Sequence, residues 1–125
     1  MRVFYFASGS DGLTRKLRDL IESAAPDSDI TRYSSVEDLA AALLREVRPD
    51  GQGVAVLLCA SRAELRKMLG LTSLLADMTR IVILPDRDAD TISEGLKLLP
   101  NFFSYSDGNL ADIGAVFKKI SLKTT

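Results

Sequence analysis

The sequence contains no histidine. Zinc sites and histidine-based acid–base or nucleophilic catalysis are thereby largely excluded. Cysteine is almost as scarce. The one thiol, Cys59, cannot form an internal disulfide. A small secreted domain usually carries paired cysteines, so a cytoplasmic setting is expected. Charge of one sign is lacking too. Lysine plus arginine number 16 against 17 aspartates and glutamates, a net charge of -1. That gives no field for recruiting nucleic acid or an acidic membrane, so neither is expected as a partner. No apolar run approaches the ~20 residues of a membrane span. Residues 1–6, MRVFYF, lack the long apolar stretch and small-residue cleavage site of a signal peptide. Internal repeats and low-complexity segments are missing, as are the phosphate-loop patterns G-x-x-x-x-G-K-S/T and G-x-G-x-x-G.

What remains is an ordinary globular composition. The chain has 125 residues, 46% hydrophobic and 26% charged, which suits one domain over residues 1–125 with a sizeable core. Three short apolar runs read as strands buried on both faces: Val3–Ala7, Val54–Cys59 and Ile81–Leu84. Ile30–Tyr33 is more polar and reads as an edge strand, and Phe102–Tyr105 as a last short one. Between them lie apolar stripes at helical spacing. These are Leu13, Leu17, Leu20, Ile21 and Ala24; then Val36, Leu39, Ala40, Leu43, Leu44 and Val47; then Leu65, Met68 and Leu69. Gly70 should break that third helix before Leu74, Leu75 and Met78. Ile92, Gly95, Leu96 and Leu99 mark a helix ended by Pro100, and Leu110, Ile113, Val116, Phe117 and Ile120 a final one. Ser34-x-x-Glu37 and Ser61-x-x-Glu64 fit capping boxes. RPDGQG, residues 48–53, reads as a loop, and the SLKTT tail as frayed.

Strands buried on both faces and alternating with helices imply a three-layer, doubly wound α/β domain. Its five-stranded parallel sheet is expected in the order 2-1-3-4-5. Any ligand would then sit outside the carboxyl ends of the strands. Four loops reach that edge: Ala7–Gly12, Cys59–Ser61, Pro85–Asp90 and Tyr105–Gly108.

The first loop, Ser8-Gly9-Ser10-Asp11-Gly12, leads into a helix whose second residue onward includes Thr14. Glycines and free N–H groups at a helix start suit an anion. The loop resembles the phosphate loop of flavodoxins, with Ser8, Ser10 and Thr14 in the hydroxyl positions, although the spacing is one residue too long. Flavodoxins also sandwich their flavin between aromatic residues, and Cys59–Ser61 and Pro85–Asp90 contain none. The plainer expectation is a turn in which Ser10 or Asp11 caps the helix. Asp86, Asp88 and Asp90 have calcium-loop spacing, but Thr91 stands where an EF-hand needs glycine and Lys97 where it needs the closing glutamate. They are expected to serve the start of the following helix. Cys59 is expected to be core. A reactive thiol needs an activator, and Arg62 is the one cation close in sequence. Ser106-Asp107-Gly108-Asn109 is expected to cap the last helix. Arg15, Lys16, Arg18, Arg66 and Lys67 fall on polar helix faces.

With these parts placed, the chain resembles a response-regulator receiver domain, a flavodoxin-like fold, over nearly its whole length. RYSSVEDLAAALL is similar to the receiver's second strand and helix, and RIVILPDRDADTISEGLKLLPNFFSY to its fourth strand, fourth helix and fifth strand. The resemblance implies a phosphorylation site at five positions, and none keeps its residue here. Ala7 and Ser8 take the slots of the Mg²⁺-binding acidic pair. Cys59 takes that of the phosphoacceptor aspartate, Pro85 that of the Ser or Thr, and Ser106 that of the lysine. Phosphoryl transfer to a carboxylate needs a metal and a cation to hold the transferring charge. The resemblance therefore implies a degenerate receiver that is not an enzyme, holds no metal or cofactor, and binds a protein partner in a signalling pathway, a second copy of the chain included. The face it implies carries Ile92, Lys97, Phe103, Tyr105 and Phe117. Two alternatives are a small FMN or nucleotide binder using Ser8–Thr14 and an enzyme built on Cys59.

Overall fold

Residues 2–9, 11–46, 53–108 and 110–123 are described in a computed structural model. Ser10, Val47, residues 48–52 of the expected loop, Asn109 and the side chains of the SLKTT tail lie outside the described residues. The apolar runs form the strands they suggest: β1 (Arg2–Ala7), β2 (Asp29–Tyr33), β3 (Val54–Leu58), β4 (Thr79–Leu84) and β5 (Phe102–Tyr105). They pair in parallel in the order β2-β1-β3-β4-β5. The polar β2 is an edge strand, as its composition requires: no position in it is fully buried, whereas every residue of β3 is.

The period of two along each strand sorts side chains onto the two faces. Phe4, Phe6, Ala55, Leu57, Val82 and Leu84 meet α2 (Val36–Arg45), α3 (Arg62–Leu69), α4 (Thr72–Leu75) and the end of α5 (Ala89–Leu96). Val3, Tyr5, Val56, Ile81 and Ile83 meet α1 (Gly12–Ala24) and α6 (Ala111–Lys123) on the opposite face. These are the three layers expected, and Gly70 divides α3 from α4 as expected.

Three local expectations are corrected. The α2 cap is Ser35 rather than Ser34: the Ser35 hydroxyl accepts from Asp38 N at 3.1 Å. Leu44 turns outward at 70% exposure, and Ala42 takes the core position beside Leu43. The helix expected to run to Pro100 stops at Leu96. Leu99 then adopts a left-handed backbone, φ 52°, which sends Leu98 into the core and leaves Leu99 67% exposed.

Candidate functional site

The carboxyl ends of β1, β3, β4 and β5 converge on one cleft of about 190 Å³. Its lining includes Ser8, Gly9, Asp11, Thr14, Cys59, Pro85 and Ser106. Four of the five receiver slots thus meet. The fifth, Ala7, is fully buried at the end of β1. Ser10 lies outside the described residues, and Gly12 faces a separate shallow groove between α1 and α6.

Several of the lining side chains are already engaged. Asp11 is the α1 cap: its Oδ1 accepts from Thr14 N at 3.0 Å and from Thr14 Oγ1 at 2.9 Å. Those two bonds hold the Asp11 carboxyl below its ordinary range. The Ser106 hydroxyl donates to the Pro85 carbonyl at 3.1 Å, tying two slots to one another. Cys59 is buried, its N–H paired with the Ile83 carbonyl. Burial pushes its thiol up to about 12, and the nearby Glu64 acts in the same direction. Arg62 does not activate it. That guanidinium donates to Thr91 Oγ1 at 3.0 Å and to Asp88 Oδ2 at 3.2 Å.

The other acids of PDRDAD serve the start of α5. Asp86 accepts from Asp88 N at 2.9 Å. Its carboxyl is held below its ordinary range first by a hydrogen bond from Thr91, then by that backbone N–H. Asp88 holds the cap position and Asp90 the first turn. Arg87 joins this loop to the next, with its guanidinium 4.1 Å from the centre of the Tyr105 ring and bonded to Asp107.

The cleft can do little chemistry with these groups. One carboxylate, Asp11, lines it, and no lysine or arginine does. Among the described residues no three Asp, Glu, Cys or His side chains gather as metal ligands. A Mg²⁺ ion held by an acidic pair does not fit this donor set. A flavin does not fit either, because the lining holds no aromatic ring and the volume is below the ~300 Å³ at which small-molecule pockets usually begin.

The face expected to meet a partner is altered in its membership. Phe103 is 38% exposed, and its ring meets Tyr105 edge-on at 6.2 Å between centroids. Ile92 is half-buried against the core and Lys97 is exposed. Phe117 is fully buried among the α1 and α6 side chains, so it is core and not surface. Sequence reasoning missed Leu96 and Leu99, 47% and 67% exposed. Helical periodicity places both on the core face; the early end of α5 and the left-handed turn account for Leu99, while Leu96 is the last residue of the helix itself.

No family model matches the chain, and no curated protein sequence matches it. Solved structures do. A CheY-like response regulator receiver domain protein from Methanospirillum hungatei superposes with a TM-score of 0.73 at 10% identity, over 98% of this chain and 94% of that one. A response regulator receiver domain from Rhodospirillum rubrum gives 0.69 at 10% identity, over 99% and 93%. A putative pilus assembly protein from Burkholderia thailandensis gives 0.64 at 15% identity, over 98% of each. The chain has the flavodoxin-like fold of a receiver domain.

Proposed function

We propose that residues 1–125 form one receiver-like signalling domain that is not phosphorylated and works by docking a protein partner. The observation that carries the first part is the cleft itself. The slots that meet there hold Ser8, a buried thiol, a proline and a serine tied to that proline's carbonyl. Nothing among them can accept a phosphoryl group as a carboxylate does, or neutralise one as a lysine or a bound divalent ion does. The domain is therefore expected to gain no mass when incubated with acetyl phosphate and Mg²⁺. A phosphorylated species on intact-mass measurement overturns this part.

The docking part is supported by the α5–β5 edge. Phe103 and Tyr105 form an edge-on aromatic pair, and Leu96 at the end of α5 and Leu99 in the turn after it are exposed. Aromatic side chains, tyrosine among them, are common anchors of binding hot spots. A signalling protein or a second copy of this chain is the partner this reading expects. The neighbour named for pilus assembly widens the class to an assembly complex. Phe103→Ser with Leu96→Ser should abolish capture of a partner that the wild-type domain retains, while circular dichroism stays unchanged. Undiminished capture by that variant sinks the assignment of the face.

A further inference from the structure

A second cavity lies at the same sheet edge, on the far side of β1 from the cleft. It measures about 160 Å³ and is lined by Tyr5, Asp11, Thr14, Arg15, Arg18 and Arg32. In a chain whose charges nearly cancel, three arginines converge on one small space. Arg32 reaches it from the edge strand β2. Its Nε and Nη2 donate to the Ala7 carbonyl at 3.2 and 3.0 Å, and Nη2 also donates to the Gly9 carbonyl. These bonds fix the guanidinium plane against the loop after β1. They leave its charge uncompensated, since no carboxylate of the described residues pairs with Arg32. Arg15 likewise joins no ion pair among the described residues, and Arg18 joins only an exposed one with Glu22 through Nε. That leaves the outer nitrogens of Arg18 and Nη1 of Arg32 without a hydrogen-bond acceptor among the described residues. The floor is rigid and neutral: Tyr5 is fully buried, and its hydroxyl donates to the Thr14 carbonyl at 2.8 Å.

We infer that this cavity, walled by Arg15, Arg18 and Arg32 outside the carboxyl ends of β1 and β2, binds a phosphoryl group. Guanidinium forks match the oxygens of such a group, and a charge-assisted hydrogen bond is about twice as strong as a neutral one. The end-on fork of Arg18, the guanidinium of Arg15 and Nη1 of Arg32 together offer more donors than the about four acceptor sites of a carboxylate can use, whereas a phosphoryl group offers three oxygens and a second charge. The volume suits one oxyanion group. Burial raises the pKa of the Tyr5 hydroxyl, and Asp11 adds to that, while Arg32 and Arg18 act in the opposite direction, so charges of both signs reach this floor. Asp11 stands between this cavity and the cleft, lines both, and opposes the anion.

The test is calorimetric titration of the folded domain with inorganic phosphate, with phenyl phosphate and with acetate, at constant ionic strength. Saturable binding of either phosphate, with acetate at least tenfold weaker, is expected. Preference for phenyl phosphate points to a phosphate monoester, and preference for inorganic phosphate to the free ion. Arg32→Gln should weaken binding about tenfold or more, the loss of one charge-assisted bond. Arg15→Gln, at an exposed position where folding is not at stake, should do the same. Asp11→Asn keeps a capping residue and should tighten binding severalfold. Lys67→Gln, on α3 and remote from the cavity, should change nothing. Acetate binding equal to phosphate, equal losses in Lys67→Gln and Arg15→Gln, or no saturation with either phosphate overturns the proposal.

Discussion

Cys59 and Tyr5 are buried groups that must stay protonated for the native packing to hold. Burial raises the Cys59 thiol from 9.0 to about 12, with Glu64 adding to the effect. Burial also raises the Tyr5 phenol from 10.0 to about 12, against the opposing charge of Arg32. Each group ionises more readily in the unfolded chain. The stability each contributes is therefore present below its unfolded pKa and is lost as pH rises towards 12. The limiting slope is about 1.4 kcal/mol per pH unit for each group. The urea midpoint of the domain should fall between pH 9 and 12, and fall less steeply in Tyr5→Phe and Cys59→Ala. A midpoint that stays flat over this range in the wild type contradicts the burial argument. At neutral pH the same burial should leave Cys59 inert to thiol reagents. Labelling of the native protein as fast as free cysteine would restore the reading of an enzyme built on Cys59. That thiol's burial was legible in the sequence, because it ends an unbroken apolar run. The role of Arg32 was not. Its partners are backbone carbonyls about 25 positions earlier in the chain, and a carbonyl leaves no mark in a sequence.

Element boundaries turn on choices that local patterns leave open. Ser34 and Ser35 each precede an acid by three residues, Glu37 and Asp38, so both fit a capping box. The three-dimensional structure uses Ser35, whose hydroxyl accepts from Asp38 N at the start of a helix that buries Leu39, Ala42 and Leu43. Ser35→Ala should therefore cost about 1 kcal/mol, the usual worth of a side-chain cap, while Ser34→Ala should cost close to nothing. Denaturant midpoints of the two variants separate them, and the reverse order would return the cap to Ser34. The end of α5 presents the same kind of choice between Leu98 and Leu99. Periodicity favours Leu99 as the buried one. The chain instead turns left-handed at Leu99, at a cost of about 1–2 kcal/mol for a side chain with a β-carbon. Leu99→Gly should recover about 1 kcal/mol of that strain and raise the melting temperature. If docking uses this leucine, the same variant should also bind its partner less well, so that stability and binding move in opposite directions.

At the scale of the whole molecule, three buried strands and a polar edge strand were enough to settle the sheet. Continuous apolar runs can be satisfied only between two helical layers, and connections of this length then dictate parallel pairing. Sheet order in turn brings residues 8, 59, 85 and 106 to one cleft, although they are spread over most of the sequence. Because the cleft is a product of topology, its chemistry depends on several distant positions at once, and on the reading proposed above a single carboxylate added there should not make it a phosphorylation site. Cys59→Asp is the decisive case. It supplies a carboxylate at the position that the receiver resemblance gives to the phosphoacceptor, yet leaves it buried beside Pro85 and Ser106 with no cation lining the cleft. An uncompensated buried charge costs about 3–5 kcal/mol, so the variant should melt several degrees below the wild type at neutral pH and recover as pH falls and the carboxyl protonates. With acetyl phosphate and Mg²⁺ it should remain unlabelled by intact mass. Labelling of this single variant would mean that the wild-type cleft lacks only its acceptor, and that Asp11, with the groups around it, still supports phosphoryl transfer.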